Sequence, residues 1–480
     1  MKPVRTRFAP SPTGFLHVGG VRTALYAYLY AKKNKGQFIL RIEDTDKVRE
    51  VEGSIGHIME SLSWLGIQWD EGIDIGGPYE PYLQSERLLS YKTWAKKLLA
   101  SGHAYPDPYT EEEVEAFRKQ AEEEKRPFLY RNHRPDTFTE WDGTQSLRFK
   151  VPFIKRYEWH DEARGTLSAG EEALDDFILI KADGYPTYNF AHVIDDIEME
   201  ITHVMRGEEF IPSTPKYLSL YDALELPAPS YTTMPSILGE KGTKKLSKRD
   251  GAKDILDYRA EGYMPEALIN FLALLGWNPG TEQEIFTKGE LIEAFDLDRI
   301  QRSGAMFNVE KLLTLNQWWM RTLSDEEYLK RGAFEVDDTG VLQKTVPLLK
   351  ERAHTFGEAR AHLHTDLQCI FTAPISVEKA ELLAKAPEGL EEQAKIHLTE
   401  CQIILERLSD TESIESIKEA LMSYANTVSK DAGGRGAVLW PLRYALSGAT
   451  QSPDPFSLVY ILGRQESLSR IATSLGILGE

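Results

Sequence analysis

The chain has 480 residues, with 56 Lys and Arg against 75 Asp and Glu, for a formal net charge of −19. At roughly 100–200 residues per domain this length predicts about three domains, and 41% hydrophobic with 10% aromatic residues excludes a largely disordered chain. Two cysteines, Cys369 and Cys401, exclude a disulfide framework or a cysteine-rich zinc site; the run 271–277 is far short of the ~18 apolar residues of a membrane helix, and the acidic surplus argues against a nucleic-acid partner.

The first residues, MKPVRTRFAPSPTG, have neither an apolar core nor a cleavage-like site, so a secretory signal is not expected and a reducing, cytoplasmic compartment is. Strand-length runs follow at 4–8 (VRTRF) and 36–44 (GQFILRIED), then at 147–153, 176–181 and 201–205, each bounded by Gly, Pro, Asp or Asn. Between the first two, Val21, Ala24, Leu25, Tyr28 and Leu29 recur at helical spacing, with Gly36 as the stop. Strand, Gly-containing turn, amphipathic helix and strand make a βαβ unit, which predicts an α/β domain with a parallel sheet. Residues 106–145 become charged and helical, and the texture is then β-like to about 185. This reads as an insertion, because βα texture resumes at AHVIDDIEMEITHVMRGEE. Beyond about 321 helical periodicity dominates. Leu390, Ala394, His397, Leu398, Cys401, Leu405 and Leu408 form one stripe, and Ile417, Ala420, Leu421, Tyr424 and Val428 another, ended near Gly433 and Gly434. An all-α C-terminal third follows, with Cys401 in its core.

Three constellations could carry chemistry. In RFAPSPTGFLHVGGVRTAL (7–25), Gly19 and Gly20 stand at a helix start, where free N–H groups and the dipole favour a phosphate, and His17 precedes them. Alone, the segment suits a Pro/Gly-rich surface loop equally well. KGTKKLSKRDGAK (241–253) holds six basic residues and one acidic, with Lys245 and Lys248 around Leu246 and Ser247. It suits polyphosphate, or simply a solvated basic loop. Arg41 with Glu43, and Arg206 with Glu208 and Glu209, sit at strand ends, where an open α/β sheet binds ligands. Such pairs could hold a zwitterion or be structural ion pairs. There is no GxSxG or HExxH, and His103, His133 and His160 have no cysteine near them, so no zinc is expected. Trp318 and Trp319 read as packing rather than base stacking.

Together these pieces resemble one family. APSPTGFLHVGG resembles the HIGH region of class I aminoacyl-tRNA synthetases in the form of the glutamyl and glutaminyl branch, and KLSKR (245–249) resembles their KMSKS loop. RIEDTD (41–46), ADGYPTYNFAHVIDD (182–196), VMRGEE (204–209) and STPK (213–216) follow that branch in order and rough spacing. LWPLRYALSG (439–448) is similar to the terminal helical part of bacterial glutamyl-tRNA synthetases.

The resemblance implies activation of glutamate by ATP and transfer to the terminal adenosine of tRNA(Glu), with tRNA(Gln) as a second substrate in non-discriminating members. ATP would be held by His17, Gly19, Gly20, Lys245, Leu246, Ser247, Lys248 and Arg249, with His17, Lys245 and Lys248 as the catalytic groups and Mg2+ on the phosphates. Glutamate would be held by Arg7, Ala9, Ser11, Glu43, Tyr188, His192, Arg206 and Glu209. Glu43 would take the α-ammonium and Arg7 with Tyr188 the side-chain carboxylate, although the roles of Arg7 and Arg206 could be exchanged. Arg352 approximately aligns with an arginine that discriminating members use against the first anticodon base.

By the same resemblance, residues 1–105 with 188–240 would form a Rossmann-type catalytic domain and 106–187 the acceptor-binding insertion. Residues 241–320 would form a stem-contact region with the KLSKR loop, and 321–480 a helical anticodon-binding region, in a monomer. Two positions depart from the pattern. The tetrad is His17-Val18-Gly19-Gly20, which leaves all imidazole work to His17, and His192 stands where asparagine is common. A glutaminyl enzyme would call for β-barrel anticodon domains, the paralogue that modifies queuosine would end near 300, and a non-catalytic tRNA-binding derivative would not need His17 and KLSKR. The charge argument also narrows: binding depends on local potential, so basic strips on an acidic protein still accommodate tRNA, with strong salt sensitivity.

Overall fold

The computed structural model describes residues 2–239, 241–246, 253–373, 376–386, 388, 391–409 and 412–479. Two compact units divide the chain: Met1–Arg259 with Pro265–Leu315, and Ala260–Met264 with Asn316–Glu480.

In the first unit the strands run β1 Arg5–Phe8, β2 Gln37–Leu40, β3 Glu71–Gly72, β4 Ala104–Pro106, β5 Leu147–Phe149, β6 Tyr157–Asp161, β7 Gly165–Ala169, β8 Ile178–Ile180, β9 His203–Gly207, β10 Ser230–Met234, β11 Ile237–Leu238 and β12 Ala305–Met306. The helices used below are α1 Val18–Lys33, α2 Ser54–Trp64, α3 Leu88–Ala100, α4 Glu111–Glu123, α5 Tyr188–Glu198, α6 Thr214–Ala223, α7 Ile255–Ala260 and α8 Pro265–Leu274. Strands β1, β2 and β3 form a parallel sheet, with Arg5 opposite Gln37 and Phe8 opposite Leu40. A second sheet runs β7-β6-β10-β9, in which β9, β10 and β6 are parallel and β7 antiparallel. The Thr202 N–H donates to the Arg5 carbonyl at 3.0 Å, so β9 starts beside β1. The βαβ unit expected from the sequence is therefore β1-α1-β2.

Helix α1 departs from the amphipathic expectation. Its stripe residues Val21, Ala24, Leu25, Tyr28 and Leu29 are buried, but so are Arg22, Tyr26, Ala27 and Ala31. The helix packs on β1 from one side and on α8 from another, and the Tyr26 hydroxyl donates to the Ala273 carbonyl at 3.0 Å. It ends at Asn34, and Gly36 matters for proximity: a Cβ there would stand 2.1 Å from the Val4 carbonyl oxygen.

Residues 106–187 split between two sheets. Strands β4, β5 and β8 form a separate antiparallel sheet, against which α3 and α5 pack through Tyr91, Leu98, Phe149, Leu179 and Phe190. The β6–β7 hairpin instead joins the sheet of β9 and β10 through Asp161, opposite Tyr231. The charged stretch forms α4, started by a capping box between Thr110 and Glu113.

Every regular element among the described residues of the second unit is a helix. Leu398, Cys401 and Leu405 are buried on the helix Glu391–Arg407, and Ile417 and Leu421 on Ile414–Ala425. His397, on the same stripe, pairs through its Nδ1 with the Tyr424 hydroxyl at 2.8 Å, while its buried Nε2 has no hydrogen-bond partner among the described residues. Leu390 lies outside the described residues. The last helix, Pro455–Gly479, kinks at Gly463, whose φ is 79°.

Candidate active site

A cavity of about 480 Å³ opens where the C-terminal ends of β1, β9 and β10 meet the N-terminus of α1. That placement follows from topology, since parallel strands direct their carboxyl ends and the following loops toward one edge. Arg7, Ala9, His17, Gly19, Gly20, Glu43, Tyr188, Arg206, Glu209, Lys245 and Leu246 all line it. Sequence reasoning selected these residues from five separate segments, and the fold brings them to one space.

The α1 end of the cavity is built by His17 and the glycines. His17 is the helix N-cap, its Nδ1 accepting from the Gly19 N–H at 3.1 Å, which leaves Nε2 to carry the proton of the neutral ring. Gly20 is required by its neighbour, because a Cβ there would meet Leu16 Cδ1 at 2.7 Å. On the facing wall, the Leu246 N–H donates to the Ile237 carbonyl at 2.8 Å, so the basic segment enters along β11. Lys245 stands 3.5 Å from Glu209, both largely exposed, a loose pair that a polyphosphate could displace. Ser247, Lys248 and Arg249 lie outside the described residues.

The opposite end of the cavity rests on a buried ion network. Arg41 is fully buried, and its guanidinium reaches Glu43 at 2.9 Å, Asp196 at 2.8 Å and Asp195 at 3.6 Å. Arg7 donates to the two Asp196 oxygens at 3.1 and 3.3 Å. Asp195 also accepts from Gln84, Arg87 and Tyr91 at 2.7–2.9 Å. Burial raises the Glu43 carboxyl to about 7 despite the nearby cations Arg41 and Arg7. Burial acts on Asp196 in the same direction, but Arg7 and Arg41 together outweigh it and hold that carboxyl at about 2. Glu43 bonds Arg41 through Oε1, and its Oε2 has no hydrogen-bond partner among the described residues.

Arg206, like Arg22, differs from Arg7 and Arg41 in having no carboxylate partner among the described residues. It donates one hydrogen bond, to the Thr214 hydroxyl at 2.6 Å, and its guanidinium lies 4.3 Å over the Tyr231 ring. Its buried Nε has no partner, and no carboxylate pairs with it among the described residues. A buried cation lining a cavity without its anion is a ready site for a ligand carboxylate.

Two of the expected glutamate residues do not reach the cavity. Ser11 is exposed on the loop after β1 and lies outside the lining. His192 lies beneath, stacked on Tyr188 at 4.7 Å and edge-on to Tyr217 at 4.4 Å. Burial draws its imidazole down to about 3, so it is neutral and supports the Tyr188 ring. Arg352 lies in the second unit, where it bonds Asp366 at 2.5 Å while His362 bonds the other Asp366 oxygen at 2.6 Å.

Arg22, Ser236 and the pair Asp195–Asp196 were missed by sequence reasoning. Arg22 lines the cavity from α1 and donates to the Leu275 carbonyl at 2.9 Å and to the Pro235 carbonyl, and burial lowers its pKa. A signal for the aspartates existed: Tyr188, His192, Asp195 and Asp196 fall at i, i+4, i+7 and i+8, one face of α5.

Comparison with known proteins places these observations in context. Residues 3–314 match the family described as tRNA synthetases class I (E and Q), catalytic domain, and residues 311–475 match the anticodon binding domain family. A glutamate–tRNA ligase of Anaeromyxobacter sp. (strain Fw109-5) is 38% identical over 493 residues, covering 100% of both chains. One from Carboxydothermus hydrogenoformans is 41% identical over 480 residues, covering 98% of this chain and 99% of its own. The crystal structure of a glutamate tRNA ligase from Elizabethkingia meningosepticum, in complex with its amino acid, superposes with a TM-score of 0.87 at 37% identity, over 99% of this chain and 100% of that one.

Proposed function

The chain belongs to the class I tRNA synthetases of the E and Q group, and on that basis we propose how its cavity activates glutamate. It acts as a glutamate–tRNA ligase, consuming ATP and L-glutamate and charging tRNA.

The observation that carries the residue assignment is the unpaired buried Arg206 facing the same cavity as Glu43. A zwitterion with two carboxylates fits this set. Glu43 takes the α-ammonium on Oε2, and the two carboxylates fall to Arg7 and Arg206, with Tyr188 beside Arg7. A neutral amide in place of the side-chain carboxylate would leave a buried cation unpaired, which favours glutamate over glutamine by about 2–4 kcal/mol. At the α1 end, ATP lies with its phosphates against the N–H groups of Gly19 and Gly20, His17 and Lys245, with Lys248 following from the same basic segment. A glutamate α-carboxylate oxygen then attacks the α-phosphorus, the bond to the β-phosphate bridge breaks, and pyrophosphate leaves. The terminal adenosine hydroxyl of tRNA next attacks the adenylate carbonyl, and AMP departs. These residues supply positioning and charge, and no covalent nucleophile is required.

Magnesium would arrive on the nucleotide's phosphates. Among the described residues, no group of three His, Cys, Asp or Glu is placed to cage an ion. The helical unit reads the anticodon, where Arg352, oriented by Asp366, contacts the first anticodon base of a discriminating enzyme. One chain supplies both acceptor and anticodon contacts, so the active form is a monomer.

The test is glutamate-dependent ATP–pyrophosphate exchange with tRNA present, followed by charging of purified tRNA(Glu) and tRNA(Gln) in parallel. Exchange that responds to glutamine but not glutamate would overturn the pocket assignment. Equal charging of both tRNAs would overturn the role given to Arg352.

A further inference from the structure

Leu16, the residue before His17, has its peptide groups held on both sides. Its N–H donates to Nδ1 of His57, on α2, at 3.2 Å. Its carbonyl accepts from the N–H of Ile255, the first residue of α7, at 3.0 Å. Because Nδ1 accepts, the proton of the neutral ring sits on Nε2, which faces Asp254 Oδ1 at 3.4 Å. The same oxygen accepts from the Leu256 and Asp257 N–H groups at 2.9 and 3.0 Å and so caps the start of α7. His17 and Asp254 also pair as an isolated antiparallel bridge. Three hydrogen bonds thus close a ring through Leu16, His57, Asp254 and Ile255.

This ring joins two segments that are remote in sequence. Leu16 leads directly into His17, and its side chain lies under Gly20 at the α1 start. Asp254 directly follows the basic segment 241–253. Phe15 stacks on the imidazole at 4.6 Å and 18°, fixing its plane. Hydrogen bonds from a third element therefore tie the residue before His17 to Asp254 and Ile255, the residues that follow the basic segment in sequence.

We propose that His57 is a positioning residue for adenylate formation, clamping the His17 segment to Asp254 without touching substrate. This rests on the ATP-site reading above. A purely structural histidine would affect stability, whereas a positioning one affects turnover more than glutamate binding, because reacting groups misplaced by about 1 Å can cost 10²-fold.

The experiment compares wild type, His57→Phe and His57→Gln in glutamate-dependent ATP–pyrophosphate exchange with tRNA present, with melting temperatures recorded. His57→Phe keeps the ring against Phe15 but loses both polar contacts. In His57→Gln one amide atom can accept from Leu16 while the other donates to Asp254. The expected result is a loss in kcat of about ten- to fifty-fold for His57→Phe, KM for glutamate within about twofold, and recovery to within about fivefold in His57→Gln. An indifferent kcat in His57→Phe, or equal impairment in both variants at unchanged melting temperature, would overturn the proposal. If His57→Phe does not fold, Asp254→Ser takes its place: the shorter hydroxyl can still cap α7 but draws back from the 3.4 Å contact to the histidine, and an unchanged kcat would likewise overturn the proposal. Failure of the wild type to exchange at all would count against the ATP site itself, whereas an active wild type beside an indifferent variant counts against the clamp alone.

Discussion

Asp196 stands between two arginines, 3.1 Å from Nε of Arg7 and 2.8 Å from Nη1 of Arg41. It is the only carboxylate that Arg7 has among the described residues, whereas Arg41 also holds Glu43 and Asp195. Asp196→Asn therefore frees Arg7 to reorient and leaves a buried charge under-compensated. The expected loss of stability is about 3 kcal/mol, because breaking a buried pair from one side is costly, and KM for glutamate should rise. The folded carboxyl sits at about 2, below its ordinary 3.8. Its stabilisation is present above the ordinary value and lost as pH falls through about 2. Urea unfolding of wild type and Asp196→Asn should differ at neutral pH and converge in strong acid.

Glu43 has the opposite sign. Its carboxyl rises to about 7 in the folded protein, so its contribution favours the fold while it is protonated and is lost as pH rises through about 7. Glutamate binding needs the anion to meet an ammonium. A group at about 7 is roughly one-tenth ionised at about pH 6 and nine-tenths at about pH 8, so affinity for glutamate should rise up to about ninefold across that range. The shift in melting temperature produced by saturating L-glutamate should likewise be larger at about pH 8. Glu43→Gln should abolish both dependences while leaving binding weak throughout; a persisting pH dependence would place the titration elsewhere.

Arg206→Gln removes a lining cation that has no carboxylate partner among the described residues and, unlike Arg22, is not held by backbone carbonyls. Its loss strands no buried carboxylate, so stability should change by less than about 1 kcal/mol. Turnover should suffer: kcat/KM for glutamate should fall about 10²- to 10³-fold, with a much smaller change for glutamine. Arg206→Lys should recover little, because the flat guanidinium over Tyr231 has no counterpart in an ammonium. Steady-state exchange with each amino acid measures the ratio directly.

The parts of this site that were readable in sequence are those where local chemistry is self-announcing. His17, Gly19 and Gly20 follow a strand and open a helix, and Lys245 lies in the one strongly basic stretch, so their placement follows from the βαβ pattern. Arg206 and Glu43 were legible as charges at strand ends, but their different states were not. Glu43 is tied to Arg41, while Arg206 has only Thr214 and aromatic faces, and that difference depends on side chains from α5, α6 and β10. His192 was expected in the pocket because its position matched a motif; helix periodicity placed it one turn beyond Tyr188, beneath the ring rather than beside the cavity. The all-round burial of α1 was not readable, because its second covering layer, α8, lies more than two hundred residues further along the chain. Which sheet edge the β6–β7 hairpin joins was not readable, because chain order does not reveal it.

Two glycines should respond oppositely to the same substitution. At Gly36 an added methyl would stand 2.1 Å from the Val4 carbonyl oxygen and 2.9 Å from its carbon, both backbone atoms of the chain entering β1. Neither atom can give way without disturbing the β1–β2 register, which starts at Arg5 and Gln37, so Gly36→Ala should cost about 2–3 kcal/mol. Gly56 sits inside α2, exposed, with nothing within 4 Å of its Cβ position and no left-handed φ. There the methyl removes unfolded-state freedom and improves helix propensity, so Gly56→Ala should stabilise by about 0.5–1 kcal/mol. Because α2 carries His57 one residue later, the second variant also bears on the clamp: stiffening the helix while leaving the ring contacts in place should leave kcat for exchange unchanged. Chemical denaturation of both variants beside exchange assays would show whether stability and turnover separate at this helix.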